Sequence, residues 1–257
     1  MANASQALTL SVITVTYNSV ATIRDTIDSV LSQSYPHVEY IIVDGHSTDG
    51  TMAIVTSYGE RIAKVVSESD HGIYDAMNKG IAMATGEIIG LLNADDVFAH
   101  RDVLAHIAAT FQGEPQLQAV HGNLNYVSAN DLSRVVRFWS SGEYTLGAFF
   151  RGWHPAHPTL YVRREVYTRY GTFNTSLPIS ADFELMLRLF ERHHIRSRHL
   201  PEVLVLMRVG GASNGFSALY RSIRQCRQAF LLNGFKPPLL YPAYRLGPKL
   251  LQYIKRA

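Results

Sequence analysis

The feature that most constrains this chain is an order repeated through its first 130 residues: a short apolar run, a polar break, then a stretch with helical spacing. Thr9–Thr16 (TLSVITVT), Val38–Val43 (VEYIIV), Ala63–Ser67, Glu87–Leu92 (EIIGLL) and Ala119–Leu124 read as strands. Continuous apolar runs of this length suit strands buried on both faces. Between them, apolar residues recur at helical spacing: Val20, Ile23, Ile27, Val30 and Leu31, then Ile73, Met77 and Ile81 in Gly72–Ala84, then Val103, Leu104, Ile107 and Phe111. Asn18 or Ser19 is the expected cap of the first helix. Ser47 or Asp49 is that of a second, running to Tyr58. Alternating strand and helix predicts an α/β fold, with a mostly parallel central sheet flanked by helices.

In such sheets the ligand crevice lies at the carboxyl ends of the strands. The polar residues of this chain stand there: Tyr17-Asn18, Asp44, Glu68–Asp70 and Asn93–Asp96. Adjacent carboxylates at a strand end suit a hard divalent cation, Mn²⁺ or Mg²⁺, so Asp95 and Asp96 are the expected metal ligands. The same pair also suits an Asp-rich turn. Asp44 suits a contact to a base or ribose, or an Asx turn. Asp49 reads as a helix cap.

The second half breaks the rhythm. Arg134–Trp139, Thr159–Val162 and Pro201–Arg208 read as strands, and Ser140–Pro158 as loops with a short helix. Ser180–His193 reads as an amphipathic helix, with Phe183, Met186, Leu187 and Phe190 inward and Glu184, Arg188 and Glu191 outward. Asp182 opens that helix, as a general base or as a cap. His154 and His157 precede it and read as structural. Ser217–Asn233 is a helix carrying Arg221, Arg224 and Arg227.

Charge is uneven. Val203–Ala257 holds nine Lys/Arg and no Asp/Glu, leaving 15 basic and 21 acidic groups in the rest. The basic tail suits an anionic surface. One cysteine, Cys226, excludes an internal disulfide and fits a reducing cytoplasm. The N-terminus lacks the basic and apolar regions of a signal peptide, and no stretch reaches about 18 uncharged apolar residues. G-x-G-x-x-G, G-x-x-x-x-G-K-[ST] and C-x-x-C are all missing. No aromatic-basic motif supports nucleic-acid binding.

Five segments, SVITVTYN at 11–18, IIVDGHSTDGT at 41–51, SESDHGIYDAMNKGIAMATGEIIGLLNADD at 67–96, HPTLYVRREVYTRYGTFN at 157–174 and SADFELMLRL at 180–189, resemble family 2 glycosyltransferases of the GT-A fold. The nearest resemblance is to bacterial enzymes of exopolysaccharide and O-antigen assembly, the colanic-acid type included. The resemblance implies a GT-A domain over residues 1–215, with a donor half at about 8–125 and an acceptor half at about 126–215. A basic helical extension covers 216–257.

It also implies roles. Thr16, Tyr17 and Asn18 hold the nucleotide base and ribose, Asp44 contacts the base, and Asp75, Asn78 and Lys79 lie on the donor-side helix. Asn93, Ala94 and Asp95 line the donor, Asp95 and Asp96 hold the metal and diphosphate, and Asp182 is the catalytic base. Three positions depart from the family pattern: Asn93 for Asp, Ala181 for Glu, and Gly210 for the His of R-x-H-x-x-S. With Gly210 there, Arg208 or Lys79 is the expected partner of phosphate.

The implied activity is inverting transfer from a nucleoside diphosphate sugar, with UDP the expected nucleotide, to a glycan or lipid-linked acceptor. The expected place is the cytoplasm, and the basic, aromatic and aliphatic C-terminus suits either the inner face of the cytoplasmic membrane or a solvated helix packed on the core. A catalytically silent nucleotide-sugar-binding protein and a sugar nucleotidyltransferase are the alternatives.

Overall fold

The computed structural model describes residues 7–210 and 216–241. Gly211–Ser213 and the basic residues Arg245, Lys249, Lys255 and Arg256 lie outside them.

The apolar runs form the middle of a nine-stranded mixed sheet. β1 (Leu10–Thr16) is buried throughout and pairs in parallel with β2 (Val38–Asp44) and β4 (Ile88–Leu91). β3 (Lys64–Ser67) extends this block beside β2. β5 is the short Val97–Phe98, β6 is Ala119–Ser128, β7 is Asp131–Trp139, β8 is Tyr161–Arg163 and β9 is Ser197–Arg208. The order is β3-β2-β1-β4-β8-β6-β9-β5, with β7 on β6. β6 and β9 pair in parallel, whereas β8, β7 and β5 join antiparallel. The expected α/β class holds, and mixed pairing enters with the strands that join beyond β4.

Alternation along the strands divides the core between the two faces. Ile13, Val15, Ile41, Val43, Ile89 and Leu91 pack with α3 (Ile73–Met83) and α6 (Ala181–Leu187). Leu10, Val12, Tyr40, Ile42 and Ile88 pack with α1 (Ile23–Leu31) and α4 (Val103–Gly113). α2 is Thr51–Ser57, the short helix expected within Ser140–Pro158 is the 3₁₀ turn Phe149–Arg151, and α5 (Arg164–Tyr170) is an element the local pattern does not show. In α7 (Phe216–Leu232), Cys226, Ala229 and Phe230 join the same cluster as Phe183.

Several local expectations are corrected. α1 starts at Ile23, because Ser19 O accepts the N–H groups of Thr22 and Ile23 in a turn, and Val20 is left exposed. α2 starts at Thr51 behind Asp49, which accepts from Thr51 N–H at 2.9 Å. Ile73 is exposed, and the inward face of α3 is Tyr74, Ala76, Met77, Gly80 and Ile81. Ser180–His193 is α6 followed by a π-helical turn, Arg188–Arg192. Its expected outward residues Glu184 and Glu191 are buried. Asn233 at the end of α7 donates to Glu184, and Arg188 bridges Glu184 to the carbonyls of Tyr170 and Thr172. Glu191 accepts the N–H groups of Gly147 and Phe149. Tertiary packing thus covers a face that the local pattern assigns to water, and each buried charge is hydrogen-bonded.

Candidate functional site

The parallel register places the polar strand ends side by side. Thr16 lies beside Asp44, Asp44 beside Ser67, and Leu92 N–H donates to Ile13 O just before Asn93. Four segments therefore meet at one sheet edge, where an α/β sheet opens.

On the β1–β2 side, Tyr17 is exposed and Thr16 buried, with Thr16 Oγ1 lacking a hydrogen-bond partner among the described residues. Asn18 takes a left-handed conformation (φ 49°), which Asn tolerates. Its N–H donates to Ser47 Oγ, and its Oδ1 accepts from Thr48 N–H. Asp44 is fully buried and accepts from Ser47 N–H at 2.9 Å, Ser47 Oγ–H, and Ser67 Oγ–H at 2.6 Å. It holds the loop that holds Asn18, and these contacts are all internal. A Cβ on Gly45 would stand 2.5 Å from Asp70 Oδ2 and 3.4 Å from the Tyr17 ring, so Tyr17, Gly45 and Asp70 form one floor.

On α3, Lys79 pairs with Glu68 at 2.9 Å and Asp75 at 3.6 Å, and donates to Ser69 O. Asp75 also accepts from His71 N–H. Asn78 is turned the other way. Its amide exchanges two 2.9 Å hydrogen bonds with the backbone of Phe173, so it fastens α3 to the 171–177 loop rather than reaching the crevice.

After β4, Ala94 and Asp96 are buried and Asp95 is half-buried. Asn93 Nδ2 donates to Asp96 Oδ2 at 3.0 Å. The amide thus supports a neighbouring carboxylate that an aspartate here would repel. Burial raises the pKa of Asp95, with the Arg208 charge opposing. Burial, then the Asp95 charge, raises that of Asp96 well above the ordinary range. Asp96 Oδ1 has no hydrogen-bond partner among the described residues. Two adjacent carboxylates, one buried and half-satisfied, fit a divalent oxygen-loving cation. Arg208 is buried behind them, donating to Asp95 O at 2.8 Å, Ala129 O at 3.1 Å and Asp25 Oδ2 at 2.5 Å. Its guanidinium braces the Asp95 backbone, so the expected phosphate contact is replaced by a positioning one. Gly210 has φ 121°, and among the described residues no atom lies within 4 Å of where its Cβ would stand.

Asp182 stands in the first turn of α6, whose cap is Ser180. Tyr74 Oη donates to Asp182 Oδ1 at 3.0 Å and approaches Ile179 O at 3.1 Å. Burial first, then the Asp182 charge, raises the Tyr74 pKa, so its proton stays in place. Tyr74 stacks on Phe173, and Phe173 meets His157 edge-on. Burial lowers the His157 pKa, while the Asp182 charge acts in the opposite sense. His154 packs edge-on to Trp139 and Phe183, a structural role. Motifs alone do not single out Tyr74. Its signal is a tyrosine on the inward stripe of a helix, where a buried hydroxyl needs an acceptor.

The sequence model of glycosyl transferase family 2 matches residues 11–174. A PGL/p-HBAD biosynthesis glycosyltransferase of Mycobacterium bovis is 31% identical over 209 residues, covering 79% of this chain and 78% of the relative. Mannosyltransferase PcManGT from Pyrobaculum calidifontis, solved with GDP-Man and Mn2+, is 26% identical with a TM-score of 0.66, over 95% of this chain and 70% of that one. The S. aureus TarS fragment solved with UDP-GlcNAc shares the fold at 17% identity and a TM-score of 0.63, over 97% of this chain and 74% of the fragment. This chain spans 44% of the longer TarS chain.

Proposed function

This chain belongs to glycosyl transferase family 2, and on that premise we propose that it is an inverting enzyme of bacterial cell-surface polysaccharide assembly. Its donor is a nucleoside diphosphate sugar, with uridine the assigned base, and its acceptor is a hydroxyl of a glycan or lipid-linked saccharide. The donor class agrees with the ligands of PcManGT and TarS. One observation carries the reading: Asp96, fully buried beside Asp95 at the carboxyl edge of the sheet, keeps an oxygen without a donor among the described residues.

Tyr17, Asn18 and the loop held by Asp44 receive the base and ribose. Asp95 and Asp96 are assigned to Mn²⁺ or Mg²⁺, which when bound offsets the charge on the departing diphosphate. Arg208 fixes the backbone from which those carboxylates project. Across the site, Tyr74 occupies Asp182 Oδ1, and Asp182 Oδ2 is assigned to the acceptor proton. Asp182 removes that proton as the acceptor oxygen attacks the anomeric carbon. The bond to the diphosphate oxygen breaks on the opposite face, which inverts the centre.

Asp182→Asn tests the base. Turnover should fall at least about 10²-fold while donor affinity stays within about twofold. Retention of most of the activity would remove Asp182 from this role. Donor hydrolysis in the presence of Mn²⁺ separates an enzyme from a silent binder.

We assign the C-terminal face to an anionic bilayer, on the inner side of the cytoplasmic membrane. Arg221, Arg224, Arg227 and Lys236 share this region with exposed Leu231, Leu232, Leu239 and Leu240. No described helix is long and apolar enough to cross a membrane. Sedimentation with vesicles containing anionic lipid should fall when Leu239 and Leu240 are changed to Glu. No sedimentation of the full chain would overturn this contact.

A further inference from the structure

Away from the crevice, three metal-capable side chains converge from separate elements. His100 lies in the turn after β5, His106 on α4, and Glu202 on β9. One ligand atom from each falls within 4.8 Å of the other two. His106 Nδ1 is 3.0 Å from both Glu202 oxygens, and His100 Nε2 is 3.7 Å from Glu202 Oε2. Among the described residues this is the one cluster of three or more such groups. We propose that His100, His106 and Glu202 bind a borderline transition-metal ion of the Zn²⁺ class, at a site separate from the donor cation.

The donor chemistry selects the ion. Imidazole nitrogens favour Zn²⁺ and its neighbours, whereas Mg²⁺ and Mn²⁺ favour the all-oxygen set of Asp95 and Asp96. Zinc–ligand bonds of about 2.0–2.2 Å bring ligand atoms closer than the present spread, so a small inward movement is required. The side chains are about a third to a half exposed, which permits it. Metal at His100 Nε2 puts the ring proton on Nδ1 and gives up the 3.3 Å bond from Asp102 N–H, an exposed contact that water replaces. Three protein ligands leave a fourth tetrahedral position to water.

The site lies on the ladder that carries the crevice. β5 pairs with β9 at Val97–Leu206 and Phe98–Val205, and Ala99 N–H donates to Leu204 O. Asp95 and Asp96 precede β5, and Arg208 at the far end of β9 holds Asp95 O. A metal on His100, His106 and Glu202 therefore staples the α4 side of this ladder, binding only the folded arrangement.

The test uses the full, tag-free chain after chelation, titrated with Zn²⁺ against a chromophoric chelator. Thermal melting is followed in parallel with Zn²⁺ and with Mg²⁺. The wild type should bind one Zn²⁺ and melt higher with it. His106→Ala and Glu202→Gln should each weaken binding at least about tenfold, with unchanged melting in chelator. Asp95→Asn should leave Zn²⁺ binding unchanged. Absence of one-to-one binding, wild-type affinity in both variants, or loss of zinc binding in Asp95→Asn would overturn the proposal. If His106→Ala melts lower in chelator, His100→Asn decides by the same titration.

Discussion

His121 should make the fold acid-sensitive by a predictable amount. It lies on β6 beside His199 of β9, fully buried, with Trp153 and Phe190 against its ring. Neither ring nitrogen has a hydrogen-bond partner among the described residues. Burial, and then the neighbouring His199, lowers its pKa from 6.5 to about 3. A lowered histidine pKa means that the unfolded chain takes up the proton first. The stability due to the neutral ring is therefore complete above pH 6.5 and is lost as pH falls from there towards 3. At pH 5.0 the unfolded chain is almost fully protonated here and the fold almost not at all, which removes about 2 kcal/mol. The assay is urea unfolding of wild type and His121→Leu at pH 7.5 and pH 5.0. Comparing the two pH values within each protein cancels the packing change and the titration of shared groups. The wild type should lose about 2 kcal/mol more than the variant over this interval. Equal losses would refute the buried, unpaired state of His121.

Three further outcomes are expected. Tyr74→Phe removes the hydrogen bond that orients Asp182, so kcat should fall by about tenfold while donor affinity holds; an unchanged kcat would separate Tyr74 from the base. Asp96→Asn should abolish the Mn²⁺-dependent rise in melting temperature and lower kcat by about 10²-fold, yet raise the metal-free melting temperature, because burial disfavours the carboxylate charge there. Gly80→Ala puts a methyl group 2.4 Å from Ile13 Cγ2, so urea unfolding should show a net loss of about 1–2 kcal/mol despite better helix propensity; a gain would mean slack between α3 and β1.

Much of the fold is legible in the sequence because it is local. Continuous β-branched runs specify β1, β2 and β4, and the polar residues after each run mark the carboxyl edge of the sheet. The family resemblance adds the order of the segments and the identity of Asp182. Where the chain leaves the βαβ pattern, local signals weaken. The three-residue β8 and two-residue β5 are too short to show a period, and their antiparallel pairing depends on long-range partners.

The sequence by itself determined which side chains reach the carboxyl edge, since strand length and alternation set that position. Tertiary structure decided what each one does there. Asp44 and Asn78 carry site-like identities, but neighbouring Ser47, Ser67 and Phe173 engage their polar atoms. Arg208 turns inward because Asp25, 183 residues away, meets its guanidinium. Tyr74 joins Asp182 across 108 residues. His100, His106 and Glu202 assemble only when β5 pairs with β9. Hydrogen bonding and burial depend on distance in space, so no local pattern contains them.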